Sequence, residues 1–135
     1  MEAYAGRGSM EARARRLHAR GEHTVLFDIM RRRGRERLTS GVWARALRAE
    51  DPMAVSIVAR AIAALGAGVA STQNVLDVEA VVIGGGLGIR LGEPYAARIA
   101  AAMQPHLFLD GKPPFVRLAA LGDLGGAIGA ALLVA

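Results

Sequence analysis

The chain has 135 residues, of which 53% are hydrophobic and 21% charged, with a formal net charge of +5. That is the length of one globular domain with enough apolar material for a core. Cysteine is absent, which excludes a disulfide frame and a thiolate metal site within the chain and leaves the cytoplasm as the expected compartment.

Glu2 follows the initial methionine at once, and Arg7, Arg13, Arg15 and Arg16 come soon after, so no signal peptide and no export are implied. Ser9 is the expected cap of a first helix over MEARARRLHAR, with Met10, Ala14 and Leu17 on one stripe and Gly21 as its end. A second helix is expected from about Thr24 to Arg33, carrying Val25, Phe27, Ile29 and Met30 and stopped by Gly34. Thr39 or Ser40 then caps a short helix with Trp43 and Leu47 on one face.

Arginine supplies nearly all of the positive charge, in two clusters: Arg13, Arg15, Arg16 and Arg20, then RRRGRER from Arg31 to Arg37. No aromatics are interleaved, Glu36 interrupts the second run and no recognition motif accompanies them. The clusters therefore read as solvated faces and argue against a nucleic-acid partner.

Asp51-Pro52 is the clearest start signal, because Asp accepts from free first-turn amides while Pro sits where its missing N–H costs nothing. A long central helix should follow, with Val58, Ile62, Leu65, Val69, Thr72 and Leu76 recurring at spacings of four and three. Gly66 and Gly68 each sacrifice about 1 kcal/mol of helix propensity relative to Ala, which is tolerable where a neighbouring backbone packs against them. Arg60, Ser56 and Gln73 interrupt the apolar run, so it reads as a buried helix with no membrane partner.

Ala80 to Ile83 has the pattern of a strand covered on both faces, as in a parallel sheet. Pro94 opens a helix over PYAARIAAAM, Phe115 to Leu121 is a second strand entered through Pro113-Pro114, and LGGAIGAALLVA is a final helix. Strand, helix, strand, helix in that order implies a right-handed crossover between parallel strands. The expected class is α/β, with a helical region over 1–77 and a strand-helix-strand-helix region over 78–135.

Between the first strand and the next helix lies Gly84-Gly85-Gly86-Leu87-Gly88-Ile89. Ligands of parallel sheets bind at the carboxyl ends of the strands, and glycines there admit close backbone approach or positive φ. The spacing is not a dinucleotide fingerprint, since isoleucine stands where the third glycine of GxGxxG belongs. Nor does Gly111-Lys112, followed by proline, make a phosphate-binding loop. Tight-turn and ligand-contact roles both stay open on spacing alone. His18, His23 and His106 have no metal-ligand spacing and read as surface residues. Asp77 and Asp110-Gly111 read as turns, Asp123 as the cap of the last helix, and Gly122, Gly125, Gly126 and Gly129 as close-packing positions.

MEAYAGRGSMEARARRL, EDPMAVSIVARAIAALGAGVASTQNVLD, LDVEAVVIGGGLG and LAALGDLGGAIGAALL occur in that order and together resemble the C-terminal part of the ROK family of repressors, open reading frames and sugar kinases, especially its glucokinase-like members. The resemblance implies a partial actin-like, ribonuclease H-like sugar kinase fold with a cleft between two α/β domains. It implies that Gly84, Gly85 and Gly86 line the adenosine side of an ATP site, and that Glu2 matches the glutamate that contacts the sugar. It implies ATP with Mg as cofactor and a hexose as substrate. The family's zinc loop, phosphate-binding segment and catalytic aspartate all belong upstream of the matched positions, so structural zinc is expected only there.

The chain alone is accordingly expected to be inactive and to associate through exposed apolar surface or as a homo-oligomer. The sugar-sensing part of a ROK repressor and a non-catalytic packing or dimerisation module are the alternatives.

Overall fold

Asp51 starts the dominant helix of the chain. The computed structural model, which describes residues 1–108 and 113–134, shows its side chain accepting from the Ala54 amide at 2.8 Å at the head of the 25-residue helix α5, Pro52–Leu76. Before α5 come four shorter helices: α1 (Glu2–Ala5), α2 (Arg7–Ala19), α3 (Leu26–Arg32) and α4 (Ser40–Arg48). After it come β1 (Ala80–Ile83), α6 (Gly85–Leu91), α7 (Glu93–Met103), β2 (Phe115–Leu118) and α8 (Gly125–Leu132), with short 3-10 turns at Gln104–His106 and Gly122–Leu124.

The core forms where α2, α4 and α7 meet α5. Met10, Leu26, Val42, Trp43, Ile57, Val58, Ile99 and Met103 are all buried there. The stripe expected on α5 holds through Val58 and Ile62, after which the buried face passes to the small residues Gly66 and Ala70, and Thr72 and Leu76 are exposed. The reason is close packing by α7: a Cβ on Gly66 would lie 2.6 Å from the backbone C and O of Ala102. At Gly68 the neighbour is the flexible side chain of Met1 instead. By length and composition α5 could cross a membrane, but nine of its residues are buried against the other helices, as in the core helix of a globular domain.

Several boundaries differ from the sequence reading. Helix α2 begins at Arg7, not after Ser9, because the chain leaves α1 through extended backbone at Gly6 and re-enters a helix at once. The second helix starts at Leu26, whose amide is taken by the Thr24 hydroxyl at 3.2 Å. Thr39 precedes α4 without a side-chain cap bond.

Strands β1 and β2 pair in parallel, Ala80 with Phe115 through Ile83 with Leu118, and β2 ends at Leu118, three residues short of the expectation. Both strands alternate exposed with half-buried residues, so burial on both faces is overturned. Ile83 and Val116 pack on the core while Val82 and Phe115 face solvent, at 63% and 67% exposure, because among the described residues helices cover one face only. The expected strand-helix-strand-helix unit also contains one more helix, α6, which begins inside the glycine run.

Close packing of the last helix is likewise overturned: α8 has no buried residue, and a Cβ on Gly126 or Gly129 would meet nothing within 4 Å. The Asp110-Gly111 turn and the side chain of Asp123 lie outside the described residues.

Candidate functional site

The glycine run turns the chain from β1 into α6. Gly84 continues the strand with extended backbone, and Gly85 adopts φ +83°, a left-handed conformation that a side chain would strain. Gly88 serves packing: a Cβ there would come within 3.0 Å of Ile83 Cγ2, so its absence lets α6 settle onto the end of β1. Arg90 ties the far end of α6 to α4 by donating to Ser40 Oγ at 3.1 Å. The end of β2 runs alongside, with Ala119 Cβ 3.9 Å from where a Cβ on Gly84 would stand. Thus the glycines occupy the carboxyl end of the parallel strand pair.

They border a cleft of about 330 Å³. Gly84, Gly85 and Gly86 form one wall, Leu65, Tyr95 and Ile99 contribute apolar lining, and among the described residues Arg7 is its one charged residue. Tyr95 is buried, and that burial raises its hydroxyl pKa above the usual tyrosine value, an effect Arg98 partly offsets.

A second cleft, of about 450 Å³, is lined by Glu2, Arg7, Gly8, Glu11, Arg37 and Thr39 among others. Glu2 opens the four-residue α1 and is exposed. Any side chain at Gly6 would collide with its carboxylate. Among the described residues Glu2 has no ion pair or side-chain hydrogen bond, leaving its oxygens available as acceptors.

Glu11 was not singled out by the sequence, yet it organises this cleft. It is buried, accepts from Arg15 Nε at 2.9 Å and Nη2 at 2.7 Å, and accepts the Leu38 amide through its other oxygen at 3.0 Å. The spacing of Glu11 and Arg15, four apart on a helix, was the available signal. Arg15 also donates to the Glu36 carbonyl at 3.1 Å and lies 5.5 Å from the Phe27 ring centroid, so although exposed it is tied into the fold. Arg16, Arg20 and the run from Arg31 to Arg37 are exposed, as expected.

His18, His23 and His106 are exposed too; His18 stacks on Phe27 with ring centroids 4.8 Å apart. Among the described residues no three His, Cys, Asp or Glu side chains gather to hold a metal. Structural zinc is expected only upstream of the matched positions, and magnesium in phosphoryl-transfer sites is held largely by nucleotide phosphates and water, so no chemistry is routed through either metal here.

A helix-rich α/β unit with two parallel strands, and with glycines at their carboxyl end, is part of the actin-like fold of sugar kinases. The chain belongs to the ROK family, whose model matches residues 1–135. It is 36% identical over 91 residues, 67% of its length, to an N-acetylgalactosamine kinase of Shewanella sp. (strain ANA-3), of which that covers 29%. Among solved structures it resembles a ROK hexokinase from Thermus thermophilus at 29% identity and TM-score 0.68, covering 97% of this chain and 38% of that one. It also resembles a ROK family glucokinase from Streptomyces griseus, solved in complex with glucose and AMPPNP, at 26% identity and TM-score 0.74, covering 98% of this chain and 43% of that one. The chain thus spans less than half the length of each of these relatives.

Proposed function

We propose that residues 1–135 are the C-terminal part of an ATP-dependent hexose kinase of the glucokinase type, acting in the cytoplasm, with a helical region over 1–77 and a strand-and-helix region over 78–135. Gly84, Gly85 and Gly86 border the adenosine of ATP through their backbones, and Glu2 accepts from sugar hydroxyls. A carboxylate suits that task because it can take hydrogen bonds from two adjacent hydroxyls.

The observation that carries this reading is that the two clefts adjoin: Arg7 lines both the one that holds Glu2 and the one that holds the glycines. Phosphoryl transfer needs the sugar hydroxyl and the terminal phosphate side by side, and adjoining clefts meet that requirement. The kinase reading is favoured over a repressor or a packing module because the relatives just described are named as kinases, one of them bound to glucose and AMPPNP.

No residue here is assigned as the general base. Asp51 is buried and committed to its hydrogen bonds, and Asp77 ends α5 as a turn residue beside Gln73. The 135-residue chain on its own is therefore expected not to turn over ATP in response to glucose.

Calorimetric titration of the purified chain with adenosine and AMPPNP tests the reading. Binding of both is expected, with Gly85→Ala weakening each because the substitution strains the turn, and Gly84→Ala having the smaller effect because its backbone is extended. Equal affinities for wild type and Gly85→Ala would remove the glycine turn from the nucleotide site.

A further inference from the structure

We propose that Arg7 binds the phosphate chain of a nucleoside triphosphate seated in the glycine cleft, and so sets the reacting phosphate against the cleft that holds Glu2. This rests on the nucleotide reading above and adds a residue to it.

Three observations lead there. Among the described residues, Arg7 alone brings charge to the lining of the glycine cleft, which otherwise consists of glycine, apolar side chains and Tyr95. A guanidinium presents five N–H donors in a planar fork suited to phosphate oxygens. The same residue also lines the neighbouring cleft with Glu2, which places it at the junction where a transferring group would have to lie.

Finally, Arg7 is exposed and has no carboxylate within ion-pair distance among the described residues. Arg37, the other cation of the Glu2 cleft, stands 3.8 Å from Glu11 and shares that carboxylate with Arg15.

The fold supplies no competing reason for an arginine at this position. Arg7 is the first residue of the 13-residue α2, where the helix dipole disfavours positive charge, and its side chain makes no hydrogen bond among the described residues. Gly6 and Gly8 on either side carry no side chain that could fence it off.

The test uses the purified chain and three probes: adenosine, AMPPNP and inorganic tripolyphosphate. Arg7→Ala should weaken AMPPNP and tripolyphosphate by about tenfold or more while leaving adenosine unchanged, and Arg7→Lys should recover part of the loss. Arg20→Ala, at the far end of α2, should change none of the three, which separates a local contact from the loss of general positive charge.

If AMPPNP binds wild type and Arg7→Ala equally, the proposal is overturned. If wild type binds tripolyphosphate but not adenosine, and Arg7→Ala abolishes that binding, the phosphate role of Arg7 stands while the adenosine role of the glycines fails. If none of the three probes binds, both fail.

Discussion

The Asp51 carboxylate takes a hydrogen bond from the Thr24 hydroxyl at 3.0 Å, joining residues 27 apart in the chain. The same carboxylate accepts from the amides of Val25 at 2.9 Å and Ala54 at 2.8 Å, so one buried group starts both α3 and α5. Asp51→Ala would leave two amides and a hydroxyl without their acceptor. The expected loss is about 2–3 kcal/mol, more than an ordinary cap, and Asp51→Asn should recover only part of it because its amide nitrogen cannot accept. Urea denaturation reads this directly; a loss below about 0.5 kcal/mol, the range of a neutral surface change, would mean that water replaces the bonds.

Gly66 and Gly68 lie two apart on one helix but should respond in opposite directions. A methyl on Gly66 would press on the backbone of Ala102, and backbone of a packed helix does not yield cheaply. Gly66→Ala is expected to destabilise by about 1–3 kcal/mol. At Gly68 the methyl meets only the end of the Met1 side chain, which can rotate away, so Gly68→Ala should be neutral or stabilising by up to about 1 kcal/mol through helix propensity. Thermal melts of the two variants side by side decide it, and equal shifts would contradict the close approach of α7.

What the sequence made legible follows from how local each signal is. Asp51-Pro52 announces its helix because cap and first turn are neighbours, and Trp43 shows its burial through the spacing of α4. Four segments in order, the one running into Gly84 to Gly88 among them, carried the family. The bond from Asp51 to Thr24 and the bond from Glu11 to the Leu38 amide were invisible, since each spans 27 residues and depends on how helices dock.

Helix α6 was hidden by its own composition. Glycine disfavours a helix by about 1 kcal/mol per residue, so GGLGIRL reads as loop. Its helicity goes with Gly88 seated on Ile83 and Arg90 bound to Ser40. An unbroken apolar run such as Ala80 to Ile83 also cannot say how many of its faces are covered.

Glu11 should behave as a structural carboxylate beside the Glu2 cleft. It holds Arg15 on its own helix and the Leu38 amide across the domain. Glu11→Gln keeps an acceptor for Leu38 but loses the ion pair, whereas Glu11→Ala loses both. The expected order is Glu11→Ala worse than Glu11→Gln, with about 1–3 kcal/mol for the alanine variant. Hydrogen exchange at Leu38 should accelerate in the alanine variant, and unchanged exchange there would show that the amide is held by something else.

Exposed apolar side chains predict self-association. Val82 and Phe115 face outward from neighbouring parallel strands, and Leu124, Leu132 and Leu133 are exposed in and beside α8 at 66%, 72% and 87%. Apolar exposure of this kind on an uncovered sheet face invites association with another copy. Sedimentation velocity should show the average mass rising with concentration, and Val82→Lys combined with Phe115→Lys should lower it. A concentration-independent monomer would refute this.

Tyr95 gives the chain a predicted alkaline limit. Burial raises its pKa above the unfolded value of about 10, so between those two values the native state keeps a proton that the unfolded state releases. With more protons bound in the native state, unfolding free energy falls as pH rises. The full stability is present below about pH 10 and is lost progressively up to the native pKa, with a slope of at most about 1.4 kcal/mol per pH unit for one group.

Urea denaturation at a series of pH values from 9 to 11, run on wild type and Tyr95→Phe, separates the contributions. Wild type should lose stability over that range and the phenylalanine variant should lose less. Parallel curves for the two proteins would mean that the Tyr95 hydroxyl reaches water in the native state, and the glycine cleft it lines would then be wetter than its apolar lining implies.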